Sequence, residues 1–166
     1  MIRVRMIKVR EAIDKYNYDW SSFLNDRIDD AWYEPISIGK ASIAEIIGHL
    51  MNWDQYLTTN VVPAVREDGK IVFPEFDSFN KLGYAFAKQV TKNQLIADFV
   101  RTRKQLSAIL EELPAEVINR PTSANGASNC PHTGEPYTLL YIIKEFIEHD
   151  EHHRKQIHSF VYKPLG

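Results

Sequence analysis

The chain has 166 residues, 44% hydrophobic and 25% charged, which is typical of one globular domain with its own core. A formal net charge of -2 supplies no basic field and argues against a nucleic-acid partner. No apolar run is long enough to cross a membrane, and the amino terminus lacks the apolar stretch of a signal peptide. The only cysteine, Cys130, excludes an intrachain disulfide. We therefore expect a single cytoplasmic domain over residues 1–166.

The first predicted helix covers residues 8–28, where Ile13, Tyr16, Trp20 and Leu24 recur at helical spacing. The opening nine residues alternate enough to form a short extended arm instead. Residues 32–39 contain a proline and a glycine and are predicted to form a connection.

The second helix is predicted to open at Ser42, because Ser42 and Glu45 have the spacing of a capping box. Its buried stripe is predicted to contain Ile46, His49, Trp53, Leu57 and Val61. Residues 63–74 are predicted to form a long loop, with residues 71–73 extended. A short helix is predicted over residues 77–90, although Gly83 within it is a poor helix former.

The third long helix is predicted over residues 92–113, opened by Thr91 and stopped by Pro114. Residues 115–136 are rich in Pro, Gly, Ser and Asn and are predicted to be irregular; loops of this length often serve function. The last helix is predicted over residues 136–161. Four amphipathic helices with long crossover connections predict an all-α protein, a four-helix bundle.

The apolar stripe of the last helix passes through two histidines. Its apolar members lie at helical spacing before and after His149 and His153, and these two imidazoles share one face, one turn apart. Each buried ring brings polar nitrogens that need partners, and a bound metal satisfies both rings at once. His49 takes the same place in the stripe of the second helix. Three neutral imidazoles suit Zn²⁺, Ni²⁺ or Fe²⁺ and leave a coordination position open.

Other assignments remain open from the sequence. A single buried histidine is more often a hydrogen-bonded core residue than a ligand. His152 could replace His153 in an alternative pair with His149, and His132 lies in a loop that could reach a site. Glu145, one turn before His149, could orient its ring. The remaining acidic residues of this helix, Glu148, Asp150 and Glu151, are predicted to form a solvated face, as is His158, and nothing near Cys130 in sequence indicates a stabilised thiolate.

Three segments of the chain resemble the DinB-like superfamily, also called YfiT-like, of metal-dependent hydrolases and thiol-dependent S-transferases. They are the start of the second helix (SIAEIIGHL, residues 42–50), the segment DSFN (residues 77–80) and HDEHHRKQI (residues 149–157). The resemblance implies a four-helix bundle that holds one divalent metal ion per chain (Zn, Ni or Fe) through His49, His149 and His153. It also implies a homodimer, and characterised relatives use a low-molecular-weight thiol as co-substrate.

Two functions follow as hypotheses. The first is a metal-dependent hydrolase or thiol S-transferase acting on a small electrophilic substrate, with the open site walled by Trp53 and part of the 115–136 loop. His152 and Glu145 are the nearest candidates for a catalytic base. The second is a non-catalytic bundle that binds or sequesters a small molecule. A merely structural role for the histidines is disfavoured, because buried imidazoles need partners.

Overall fold

The computed structural model describes residues 2–24 and 28–162, with side chains from Lys8 onward. Within these residues the chain forms eight α-helices and no β-strand, so the all-α prediction is confirmed. A π-helical turn, Leu57–Val61, joins the third helix to the fourth. The helices are α1 Ile2–Tyr16, α2 Trp20–Phe23, α3 Ile43–Tyr56, α4 Val62–Arg66, α5 Phe76–Ala87, α6 Lys92–Glu112, α7 Ala115–Asn119 and α8 Leu139–Val161.

Four long helices carry most of the core. Helix α3 packs against α6 and α8, while α1 packs against α8 and α6. Two clusters of buried apolar side chains fill the space between them, one containing Phe99 and Ile157 and the other containing Leu106 and Ile142. These contacts place α3 beside α8, the two helices that carry the histidine stripes. The four-helix bundle arrangement and the single domain remain predictions.

The prediction of one continuous first helix is wrong, because the helix is interrupted between Tyr16 and Trp20. Helix α1 ends at Tyr16, and Asp19 starts α2 by accepting a hydrogen bond from the backbone N–H of Ser22 at 3.2 Å. Its carboxylate also accepts from the hydroxyl of Ser21. These local bonds compete with a continuous helix. The opening residues are helical from Ile2, not extended, and the predicted helical residues 25–27 lie outside the described part.

Helix α3 begins as predicted. Ser42 Oγ accepts from the backbone N–H of Glu45 at 3.2 Å, and the Glu45 carboxylate accepts from the Ser42 N–H at 3.1 Å. The stripe that includes His49 is buried along its whole length. The loop predicted over residues 63–74 begins later, because α4 continues to Arg66. Pro63 lies at the start of α4, directly after the π-helical turn Leu57–Val61.

The last helix starts three residues later than predicted. Thr138 caps α8 by accepting from the N–H of Tyr141 at 3.0 Å. Tyr137 instead donates its N–H to the carbonyl of Ser128, so the segment before the helix is held extended against the preceding loop. That loop is irregular as predicted, except that residues 115–119 form α7. Helix α6 begins after the predicted cap, Thr91.

Gly83 on α5 is explained by the close approach of α5 to α3. A Cβ atom at Gly83 would lie 2.6 Å from the Cα of His49, and a Cβ at Gly48 would collide with the carbonyl oxygen of Gly83. The two glycines therefore allow the backbones to touch beside the candidate ligand.

We expect Gly83→Ala to destabilise the protein by about 1–3 kcal/mol, because the added methyl group overpacks this contact. Helix propensity alone predicts the opposite sign, a gain of up to about 1 kcal/mol. Urea denaturation decides between them, with the exposed α5 variant Lys81→Ala as the control. A more stable Gly83→Ala variant would contradict the close packing of α3 on α5.

Candidate metal centre

The three predicted histidines lie together between α3 and α8. One nitrogen atom from each of His49, His149 and His153 lies within 4.8 Å of the others. The Nε2 atoms of His149 and His153 are 3.0 Å apart. Within the described residues, these three form the group of His, Cys, Asp and Glu side chains that could hold a metal ion.

Burial keeps all three imidazoles neutral. It lowers the pKa of His49 to about 2, with the neighbouring rings of His153 and His149 contributing further. Burial likewise lowers the pKa of His149 and of His153 to about 4. Since all three values lie below the usual 6.5, the rings are neutral at pH 7, the form in which imidazole coordinates a metal.

The hydrogen bonds of the rings agree with a ligand role. His153 Nδ1 lies 2.8 Å from Gln156 Oε1, and in the Nδ1–H tautomer the amide accepts this proton. That tautomer leaves a lone pair on Nε2, the atom that faces His149. His49 is 2% exposed, and the nearby backbone carbonyl of Glu45 raises the pKa of its ring, although no well-formed hydrogen bond reaches Nδ1.

The donor set is three neutral imidazoles, whose nitrogen ligands suit a borderline divalent cation such as Zn²⁺, Ni²⁺ or Fe²⁺. The residues that would hold it are His49, His149 and His153.

The other histidine candidates lie elsewhere. His152 is exposed, and its ring centroid is 5.6 Å from that of His153, so the alternative pair is not the one grouped with His49. His158 is exposed, as predicted. His132 lines the neighbouring cavity without joining the histidine group. Gln156, three residues after His153, was missed by sequence reasoning, although its spacing on the helix was a usable signal.

A cavity of about 520 Å³ adjoins the histidines, with His149 in its wall. Trp53 and the loop before α8 form other parts of this wall, in agreement with the predicted surroundings of the open site. Trp53 is fixed by a hydrogen bond from its Nε1 to Asn80 Oδ1 at 2.8 Å. Cavities of this size accommodate small organic ligands.

Cys130 lies in the same wall, in surroundings that the sequence did not reveal. Its Sγ donates to Glu145 Oε1 over 3.6 Å. The prediction that Glu145 orients the ring of His149 is therefore wrong, because this carboxylate contacts the thiol and His149 Nε2 lies against His153. A hydrogen bond from the Tyr141 hydroxyl, followed by the backbone N–H of Thr133, lowers the pKa of the Cys130 thiol. The loop thus presents a polarised thiol to the cavity.

A buried ion-pair network joins α1, α3, α6 and α8. Arg103 donates to Asp54 at 2.8 and 3.1 Å and to Asp150 at 2.6 and 3.2 Å. It also donates to the carbonyl of Tyr16, whose hydroxyl donates to Asp54. Burial raises the pKa of Asp54 to about 6 even though Arg103 lowers it. Asp150 was predicted to be solvated and is 2% exposed, because Arg103 pairs with it.

The fold and the site define an all-helical protein with a candidate three-histidine metal centre. The chain belongs to the DinB superfamily, whose family model matches residues 14–157. A search of curated proteins and a search of solved structures gave no significant match. In the described part of the chain, no helix is long and apolar enough to span a membrane.

Proposed function

We propose that this protein is a metal-dependent hydrolase or thiol S-transferase that acts on a small electrophilic substrate. The observation that carries the proposal is the convergence of three neutral imidazoles, one buried and two half-buried, beside a ligand-sized cavity. Membership of the DinB superfamily supports the same reading.

His49, His149 and His153 would hold one divalent ion per chain. Bound there, the ion would act as a Lewis acid that lowers the pKa of a coordinated water or thiol. Other residues of the chain position the ligands and form the cavity. Gln156 fixes the ring of His153, the packing of α5 on α3 fixes the backbone at His49, and Trp53 with the loop before α8 forms part of the cavity wall.

Of the two predicted base candidates, Glu145 is better placed than His152. Both residues are exposed, but Glu145 lines the cavity and His152 does not. We assign Glu145 to hold a proton near the substrate, and we extend the proposal to a low-molecular-weight thiol as co-substrate, a homodimer and a cytoplasmic setting.

The competing function is a non-catalytic protein that sequesters a small molecule in the same cavity. The 520 Å³ volume beside the histidines serves either function. Catalytic turnover distinguishes the two functions, because a sequestering protein binds its ligand without converting it.

The test is an activity screen of zinc- and nickel-loaded protein. Transfer of a small thiol to 1-chloro-2,4-dinitrobenzene and hydrolysis of a p-nitrophenyl ester report the two reaction types. We expect metal-dependent turnover in the wild type, a loss of about a hundredfold or more in His49→Ala, and little change in the exposed variant His158→Ala. Tight stoichiometric ligand binding without turnover would favour sequestration instead.

A further inference from the structure

Arg103 bridges the two helices that carry the candidate metal ligands. Its guanidinium donates to both oxygens of Asp54 on α3, at 2.8 and 3.1 Å, and to both oxygens of Asp150 on α8, at 2.6 and 3.2 Å. Asp150 directly follows His149 in the chain, and Asp54 lies five residues after His49 on α3. The Arg103 bridge therefore spans the same gap between α3 and α8 that the three imidazoles span.

The guanidinium of Arg103 is itself held in place. Its Cζ lies 3.9 Å from the centroid of the Tyr16 ring and 5.2 Å from that of the Phe99 ring. Its Nη1 also donates to the carbonyl oxygen of Tyr16 at 2.8 Å. The side chains of Asp54 and Asp150 are 1% and 3% exposed, so water does not replace these bonds. A planar donor fork between two buried carboxylates fixes both a distance and a direction.

The packing of the helices leaves the position of α3 relative to α8 to such side-chain contacts. Helix α3 packs chiefly on α5 and α6, whereas α8 packs chiefly on α1. The backbones of α3 and α8 approach each other closely at few positions. Apolar contacts are non-directional and do not by themselves fix the register of two helices. The bridge supplies the directional contact between them.

Stability alone is a poor explanation for this network. Removing three charged groups from water costs free energy, and well-packed apolar residues of similar volume often give equal or greater stability at such places. Apolar residues cannot supply the fixed length and angle of charge-assisted hydrogen bonds. The geometry that the network imposes on α3 and α8 is therefore the property to explain.

We propose that Arg103 is a positioning residue of the metal centre. Its bridge holds α3 and α8 at the spacing at which the ring centroid of His49 lies 5.3 Å from that of His149 and 4.9 Å from that of His153. Ligands that already lie together before a metal arrives bind it more tightly, because binding does not have to order them. This inference rests on the proposed function only in taking the three histidines as metal ligands.

Nuclear magnetic resonance of the zinc-free protein tests the bridge without any metal. Nuclear Overhauser effects between the ring protons of the α3 imidazole and those of the two α8 imidazoles report directly whether the rings meet. We expect these signals in the wild type and their loss in Arg103→Met/Asp54→Leu/Asp150→Leu. This triple variant leaves no buried charge unpaired, so it is expected to keep its helical fold.

The control for general destabilisation is Leu110→Ala, seven residues further along α6. Leu110 is 2% exposed and belongs to the apolar cluster that contains Leu106 and Ile142. Its truncation leaves a cavity in the core but does not touch the bridge. A role of Arg103 in stability alone would make this control lose the ring contacts as readily as the triple variant. We expect the control to keep them.

Zinc dissociation constants, measured by competition with a chelator, extend the test to the metal. We expect the triple variant to bind zinc about tenfold to hundredfold more weakly than the wild type. Leu110→Ala should change the affinity of the folded protein less than about twofold. Arg103→Lys keeps the buried charge but cannot donate to both oxygens of both carboxylates, so its zinc affinity should lie between those of the wild type and the triple variant.

Wild-type ring contacts and zinc affinity in the folded triple variant would overturn the inference, and so would the same result in Arg103→Lys. The two readouts separate this failure from that of the proposed function. A triple variant that keeps the ring contacts, beside a wild type with metal-dependent turnover, refutes only the positioning role. A wild type that binds no zinc, but whose ring contacts are lost in the triple variant alone, refutes the metal chemistry and leaves the positioning of the histidines by Arg103 standing.

Discussion

Arg103→Met is expected to lower the free energy of unfolding by about 3–5 kcal/mol, the largest effect of any single substitution considered for this protein. The Arg103 side chain is 3% exposed, and it makes five hydrogen bonds that join α6 to three other helices. Its loss leaves Asp54 and Asp150 buried without a cation. Urea denaturation monitored by circular dichroism measures the effect.

The matched control is Arg101→Met, two residues away on α6. Arg101 is 62% exposed and pairs with Asp98, so its loss should cost less than about 1 kcal/mol. Replacing the three charged members together, Arg103→Met with Asp54→Leu and Asp150→Leu, should recover much of the lost stability, since no buried charge is then left unpaired. Equal effects of Arg103→Met and Arg101→Met would show that the network is not buried as described.

Zinc is expected to stabilise the wild-type protein by about 2.7 kcal/mol at a free concentration one hundred times its dissociation constant. For a chain of this size that corresponds to a rise in Tm of about 5–11 °C. The physical reason is that the metal binds the folded site, whose three imidazoles are brought together only by the packing of α3 beside α8. Differential scanning calorimetry with and without zinc measures the shift.

The double variant His149→Ala/His153→Ala should show no zinc-dependent shift. Its control, His152→Ala/His158→Ala, also removes two histidines from α8, but both are exposed and lie outside the group. This control should keep the wild-type response. An equal shift in both double variants would mean that the stabilising zinc binds somewhere other than the proposed centre.

Much of the site could be predicted because its signals are local. His149 and His153 interrupt an apolar stripe one turn apart, and periodicity alone shows that both face the core. His49 was found by the same argument on a helix whose capping box fixes its start. Both arguments need only neighbours in sequence.

The parts that sequence reasoning missed depend on contacts between distant segments. Asp150 resembles its solvated neighbours until α6 places Arg103 against it, 47 residues away. Cys130 has no activating neighbour in sequence, and its thiol is polarised because the loop folds back onto Tyr141 of α8. From the sequence, Gly83 is only a poor helix former. The structure explains it, because α5 packs so closely on α3 at His49 that a Cβ atom would not fit. The break after Tyr16 is local, and Asp19 with its serines was a signal that could have been used.

The most direct test of the metal centre is the metal content of protein purified without an affinity tag, measured by plasma mass spectrometry. The three-histidine site predicts about one Zn, Ni or Fe per chain in the wild type and in His152→Ala/His158→Ala. It predicts loss of that metal in His149→Ala/His153→Ala, with helical content retained. Wild-type protein that holds no metal, even after incubation with Zn²⁺ and Ni²⁺, or a double variant that holds it fully, would contradict the proposed site.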